Sequence, residues 1–418
     1  MAGLNVRVKR DLAAYIVQLE RSINVGDGDL LASLLRKNSL SKFQNKNQVL
    51  LNLESQIDSV RTEVIEDNII GHLQPPYDRV ASEHLKAIIC LKKSNYVEAY
   101  VHQAQVVTDF LEIWKEPPKP GDYNSALNTV SVDLRLIGRL ADRELNGKGQ
   151  MEDKCQDAGR LLMNVFSACN QSRDESKKQC LLSIVNSLFK IYFQLGTLRL
   201  CKNLIKTVEN KGSLPINSYT IAQRVTYKFY TGRLNMSNSR FKQAETDLDF
   251  AFKKCTVKSK KNKRQILLYL IPAKILVGKL PRSTLLKTYN LVQFEEISKA
   301  VCTGDLRSFT VAMDAYHSFF IRKGTFLIME LSKTLVYRSF IKKITNIVKD
   351  TKIPLSKIKR LLTSLGIEMD IGEIECVLAN LIFSGYIRGY VSHFHSTLVV
   401  AGSGPFPPII NITGKNEE

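Results

Sequence analysis

No run in this chain of 418 residues reaches the roughly 18 to 20 uninterrupted apolar residues that a membrane span needs, so no membrane partner is expected. The first twenty residues, Met1 to Glu20, have charges mixed through them, Asp11 included, and read as an amphipathic helix instead of a secretory leader. The eight cysteines, at positions 90, 155, 169, 180, 201, 255, 302 and 376, form no Cys-x-x-Cys pair and read as reduced core thiols of a cytosolic or nuclear protein. Gly-x-x-x-x-Gly-Lys-Ser/Thr, Gly-x-Gly-x-x-Gly and Gly-x-Ser-x-Gly are all missing. Without them there is no sign of a phosphate-cradling loop, a dinucleotide turn or a nucleophile elbow.

Histidine is scarce, and His72, His84, His102 and His317 stand alone. His393-x-His395 is followed after seven residues by Ser403, which is the spacing of the metal-dependent deubiquitinases, but Phe406 stands where that pattern needs Asp. The carboxylate ligand is missing and the site cannot be completed. No nucleophile has a plausible base, and acidic pairs such as Glu295-Glu296 fall on predicted helix faces. The expectation is a protein that is not an enzyme and holds neither metal nor cofactor.

Acid is also in short supply. Sixty Lys and Arg face 40 Asp and Glu, giving +20 and a pI near 9.5. Such an excess favours a polyanionic partner: nucleic acid, an anionic membrane or an acidic protein.

What the chain has in abundance is helical periodicity. From Tyr77 onward hairpins recur: Leu85–Leu91 with Val97–Trp114, Leu181–Leu195 with Leu198–Val208, Ile221–Leu234 with Phe241–Phe252, and Phe294–Val301 with Leu306–Phe320. Asn95-Tyr96-x-x-Ala99 and Arg240-Phe241-x-x-Ala244 place a small residue where two antiparallel helices approach, as in tetratricopeptide-type packing. Pro117 to Gly121, Leu145 to Lys154 and Lys211 to Pro215 read as loops.

The last quarter changes pattern. Phe340, Ile341, Ile344, Ile347 and Val348 make one helix, Pro354 follows an extended Thr351-Lys352-Ile353, and Ser356 is placed to cap a second helix that Gly366 stops. Asp370-Ile371-Gly372-Glu373 has capping-box form and opens a third helix ended by Gly385. Tyr386–Val391 and Thr397–Val400 read as two strands around the turn His393-Phe394-His395-Ser396. This order is that of a winged helix. The expected architecture is mainly α: an N-terminal helical region over 1–75, tetratricopeptide-like helical repeats over 76–330, a winged helix over 331–401 and a flexible tail over 402–418.

Two basic clusters are candidate nucleic-acid contacts. Lys253, Lys254, Lys258, Lys260, Lys261, Lys263 and Arg264 put seven positive charges in twelve residues with no acid, and read as an exposed loop leading into a helix. Clustered lysine suits phosphate contact and not base reading. Lys342, Lys343, Lys349, Lys352, Lys357, Lys359 and Arg360 form the second cluster, on the first two winged-helix helices and the link between them. The third helix, which usually enters the DNA groove, opens instead with Asp370, Glu373 and Glu375, whose charge repels phosphate. The hairpin, with Tyr386, Ile387, Tyr390, Leu398 and Val400, is expected to dock a protein partner.

A helical array ending in a winged helix resembles the PCI module shared by the proteasome lid, the COP9 signalosome, a translation initiation factor and an mRNA-export complex. Ala222–Lys228, Phe241–Glu245, Lys261–Arg264, Phe319–Arg322, Val377–Ile382 and Pro405-Phe406-Pro407-Pro408 resemble, more closely, the PCI domain-containing protein two family. The likeness covers nearly the whole chain, is strongest from about Leu182 and weakest before Pro75, and implies a PCI domain over about 215–401. It further implies a non-catalytic subunit of a nuclear transcription-and-export (TREX-type) complex that links transcription to mRNA export. The implied partners are a large PCI-containing scaffold, a small acidic disordered protein, RNA and possibly double-stranded DNA, and the nuclear pore. The implied location is the nucleus, at the pore, with the cytoplasm as a second compartment. The alternative is an adaptor of a proteasome-lid or signalosome-like assembly without nucleic-acid contact.

Overall fold

The structure, a computed structural model, describes residues 6–37, 39–40, 47–57, 62–69, 72–151, 153–210 and 212–412. The chain divides into two compact units, residues 1–224 and 225–418.

The first unit is helical throughout its described part. Helices Val6–Val25, Gly28–Leu34, Gln48–Gln56 and Thr62–Ile69 precede the first long hairpin, Tyr77–Lys92 and Tyr96–Lys115. Asn95 caps the second helix of that hairpin by accepting from the Glu98 amide, and Ala99 behind it is fully buried, as the small-residue signature requires. Asn124–Gly147 and Lys154–Gln171 form a further pair that the sequence had shown only by its bounding loops. Asp142 joins its two helices by accepting the Lys154 and Cys155 amides at 2.8 and 3.0 Å. Leu181–Leu195 and Arg199–Val208 turn at Gly196, which sits at φ +74°, the left-handed region that glycine enters freely.

The second unit opens inside helix Ile221–Ser237, which forms the expected hairpin with Phe241–Lys254, and Ala244 is fully buried. Lys260–Leu276 follows, then Ser283–Thr288 and Glu295–Thr303. Leu306–Phe320, read as one helix, is two: Leu306–Ala315 and His317–Lys323. Phe326–Leu331 leads into the winged helix, whose helices are Lys333–Val348, Leu355–Ser364 and Ile371–Phe383. Its three strands are β1 Lys352–Pro354, β2 Gly389–Ser392 and β3 Thr397–Val400, all antiparallel in the order β1-β3-β2. The core of this unit runs without interruption from Ala244 and Leu267 through Phe294 and Phe340 to Ile353, Leu378 and Leu398.

Three expectations need correction. The second winged-helix helix starts at Leu355 behind Pro354, with no side-chain cap from Ser356. Tyr386 and Ile387 are not strand: their amides donate to the carbonyl of Leu381, closing the end of the preceding helix behind Gly385 at φ +78°. The tail is folded as far as Ile412. Arg338 donates to the Pro407 carbonyl at 2.8 Å, Ile409 packs on Gly278 and Ile412 is buried, so the proline-rich stretch covers the winged helix. Residues 413–418 of the expected tail, parts of the expected N-terminal region and Lys211 of one loop lie outside the described residues.

Candidate nucleic-acid interface

The basic run does not form one exposed loop. Lys253 and Lys254 end helix Phe241–Lys254, a short link from Cys255 to Ser259 follows, and Lys260, Lys261, Lys263 and Arg264 lie on the first turns of Lys260–Leu276. Three of the seven cations are engaged internally. Lys253 Nζ pairs with Asp249 at 2.6 Å, an acid that Lys274 also contacts at 2.6 Å. Partial burial acts to raise the Asp249 carboxyl, yet the two ammonium groups hold it below the usual carboxylate range.

Lys263 is buried, with its Nζ 3.1 Å from the Phe252 carbonyl and over the Phe252 ring. Arg264 donates to the carbonyls of Tyr289 and Asn290 at 3.0 and 3.2 Å. These carbonyls are the unsatisfied groups at the ends of Phe241–Lys254 and Ser283–Thr288, so two side chains of one helix close the C-termini of two others. Arg264→Ala is therefore expected to lower stability by about 1 kcal/mol in a thermal melt, and Lys258→Ala to leave it unchanged. Equal effects would show that Arg264 does no capping.

Lys254, Lys258, Lys260 and Lys261 remain, all exposed, and their ammonium groups make no hydrogen bond or ion pair among the described residues. Lys260 and Lys261 crowd the positive end of the helix dipole, an arrangement that is unfavourable until an anion sits between them. In the second cluster Lys342, Lys343, Lys349, Lys352, Lys357, Lys359 and Arg360 are likewise exposed and unpaired among the described residues. Helix Ile371–Phe383 begins as the sequence predicts: Asp370 accepts the Glu373 amide at 2.7 Å and Glu373 accepts the Asp370 amide at 2.9 Å. Glu375, a turn further on, lies 2.8 Å from His393 Nδ1. The acidic start that disfavours groove entry is thus built into the cap, and His393 is engaged with a carboxylate. Among the described residues no three His, Cys, Asp or Glu side chains cluster as metal ligands.

The expected docking residues divide. Leu398 and Val400 are buried on the inner side of the sheet, Ile387 is buried in the turn that closes the preceding helix, and Tyr386 is half-buried. Burial raises the Tyr386 phenol above its ordinary value. Only Tyr390 faces outward. Two exposed aromatics were missed: Phe383, out of phase with the Ile374, Leu378 and Leu381 stripe, and Phe394, inside the predicted turn. Their signal was an aromatic ring at a position that needs none for packing. Phe383 lines, with Gly385, Arg388 and Pro407, an open cleft of about 530 Å³ on this side of the domain.

A helical-repeat array continued by a winged helix through one core is the architecture of a scaffold of the PCI type. "PCI domain-containing protein 2" of Xenopus laevis is 38% identical to the chain over 405 residues, covering 95% of the chain and 98% of that protein. The homologue of that name in Drosophila melanogaster is 31% identical over 392 residues, 92% of the chain and 95% of its own length. The chain belongs to the PCI domain-containing protein 2 family. "Protein CSN12 homolog" of Neurospora crassa is 29% identical over 322 residues, 67% of the chain and 71% of that protein. No protein-family model matches the chain. Proteins of this class associate with other PCI-containing subunits of complexes.

Proposed function

We propose that the protein is a non-catalytic scaffold subunit of a nuclear mRNA-export complex, placed at the nuclear pore, that pairs with a larger PCI scaffold and binds RNA without sequence preference. A small acidic disordered protein is the second protein partner, and double-stranded DNA is a further ligand of the same cations. The observation that carries the reading is the group Lys254, Lys258, Lys260 and Lys261, exposed from the end of one helix across the link to the N-terminus of the next, with no internal partner for their ammonium groups among the described residues. Phosphate supplies the missing anion.

Reversing these four lysines to glutamate is expected to weaken RNA binding and to reduce the slope of log affinity against log salt by about 3, while the thermal melt is unchanged. An unaltered slope would remove nucleic acid from the reading. Lys263 and Arg264 are left out of this variant because both hold the fold.

A second reading, an adaptor of a lid- or signalosome-like assembly without nucleic-acid contact, is favoured by the likeness to "Protein CSN12 homolog". Affinity purification separates the two: export scaffold and pore proteins support the first, proteasome or cullin-related subunits the second.

A further inference from the structure

The exposed aromatic side chains of the described chain gather in the winged helix: Phe383 at 92% exposure, Tyr390 at 61% and Phe394 at 91%. The sheet register explains the last two. Residues paired across antiparallel strands point to the same face. Ile353, Leu398 and Val391 form one row, and the first two are buried against the helices. The next row, Lys352, Val399 and Tyr390, therefore faces the other way, with Lys352 and Tyr390 exposed at its ends. The row beyond is Pro354, Thr397 and Ser392.

Arg388 precedes Tyr390 by two residues. Its carbonyl accepts from the Ala401 amide, which extends the pairing, and its side chain is exposed. Along β2 the outer face thus reads cation, ring, hydroxyl, and Phe394 follows at the wing tip, its ring edge-on to His395. Alternate residues of a strand are roughly 7 Å apart, and Lys352 lies two strand spacings, roughly 10 Å, from Tyr390. The acids nearby are already engaged: Asp350 accepts the Lys352 amide and Glu375 faces His393.

A protein interface has an apolar, charge-depleted centre. This face instead carries a ring between two unpaired cations, hydroxyls in the next row and a second ring at the tip. That is the composition of a platform on which unpaired bases stack while phosphates meet cations at either side. The rings of a duplex are stacked on each other and unavailable to it. Ser392, in the outer row next to Tyr390, carries a hydroxyl able to bond a ribose 2′-hydroxyl.

We propose that the open face of the winged-helix sheet is a single-stranded RNA site, with bases stacked on Tyr390 and Phe394 and phosphates met by Arg388 and Lys352. This deepens the nucleic-acid reading above and rests on it. It assigns the discrimination of single strand from duplex to the wing, while the lysines around Lys258 supply charge alone.

The test uses the full chain with a short oligouridine RNA, a DNA oligomer of the same length and an RNA duplex. Tyr390→Ala and Phe394→Ala, both at exposed positions, are each expected to weaken oligouridine binding about tenfold with the salt slope retained and duplex binding unchanged. The DNA oligomer binds more weakly than the RNA. Phe394→Trp is expected to keep the affinity and to show quenching of its indole fluorescence by RNA, read against the buried Trp114. Alanine variants that bind oligouridine as the wild type does, or that lose duplex and single strand equally, overturn the proposal. So does unchanged RNA affinity with lost co-assembly with a second PCI subunit, which makes the face a protein interface. If the wild type binds none of the three probes, this inference and the nucleic-acid reading fall together. If it binds them and only the alanine variants behave as wild type, this inference falls alone.

Discussion

Gly304→Ala is expected to weaken the junction between the helical array and the winged helix by roughly 3 kcal/mol. Gly304 ends helix Glu295–Thr303 at φ +73°, and a Cβ there would lie 2.4 Å from the backbone nitrogen of Phe340 and 2.7 Å from its Cα. Both atoms belong to the middle of helix Lys333–Val348, the first of the winged helix, so neither can move without moving that helix. The turn cannot yield either. The amides of Gly304 and Asp305 donate to Ala300, and Asp305 caps the next helix through the Ser308 amide and hydroxyl at 3.0 and 2.7 Å.

Two costs add: a left-handed conformation for a residue with a Cβ, about 1 kcal/mol, and overpacking against backbone, about 2 kcal/mol. Gly324 separates them. It too ends a helix in the left-handed region, at φ +67°, but nothing lies within 4 Å of its Cβ position. Gly324→Ala should therefore show the conformational cost alone. Amide hydrogen exchange at Phe340 to Ile344 reads the difference: about a hundredfold faster in Gly304→Ala and little changed in Gly324→Ala. Equal exchange in the two variants would show that the close approach carries no energy.

The winged helix was legible because its boundaries carry their own chemistry. The Asp370–Glu373 box and the glycines at 366 and 385 are local signals, and each acts within a few residues of itself. The helical hairpins were legible for the same reason, through Asn95, Ala99, Gly196 and Ala244. What escaped depends on distant chain. Lys263 and Arg264 look like the lysines beside them until the carbonyls of Phe252, Tyr289 and Asn290 arrive at their ends. Glycine and proline from Gly402 to Pro408 suggested an extended tail, and only the guanidinium of Arg338, far back in sequence, shows that the stretch is held.

Ile387, Leu398 and Val400 show the limit of apolar patterning. The pattern marked all three as strand, yet Ile387 closes the preceding helix, and which face of Leu398 and Val400 is covered follows from the third strand and the helices behind it. The same limit hid the stacking face: the pairing of Lys352 with Val399 brings a strand from the link between the first two winged-helix helices beside the hairpin that follows the third.

Lys37→Met is expected to destabilise the first unit by about 3 kcal/mol at neutral pH. Lys37 follows helix Gly28–Leu34 and is fully buried against three others. Its ammonium group contacts His84 Nδ1 at 3.0 Å on helix Tyr77–Lys92 and the Gln103 side-chain oxygen on Tyr96–Lys115. Its amide donates to Asp133 at 3.0 Å on Asn124–Gly147. Removing the ammonium group takes from the buried Asp133 the strongest of its counter-charges, Arg36 and Arg135 being the others, and that penalty outweighs what the apolar methionine gains by fitting the space. Lys37→Met with Asp133→Asn should recover most of the loss, since the pair, and not either member, sets the cost.

Acidity gives the sharper test. Burial lowers the Lys37 ammonium to about 8, against the pull of Asp133 and Glu54. The unfolded chain then holds a proton that the folded one has released, so the contribution of Lys37 to stability rises as pH climbs from about 8 toward the free lysine value of about 10.4, against the loss from buried tyrosines and cysteines such as Tyr100 and Cys155 that burial raises. Burial raises the Asp133 carboxyl to about 6, so its contribution is lost as pH climbs from about 4 through 6. Burial, with Lys37 beside it, keeps His84 neutral well below its ordinary value, which costs stability as pH falls under about 6.5. In Lys37→Met the Lys37 share of the alkaline rise should be lost, leaving that of Lys190, which burial also lowers to about 8, and the loss on the Asp133 side should steepen and extend toward neutrality. Trp114, the single tryptophan, is buried in this unit and reports its unfolding alone. Trp114-monitored denaturation across that pH range decides the matter: an alkaline limb identical in the wild type and the methionine variant would show that Lys37 contributes nothing to it.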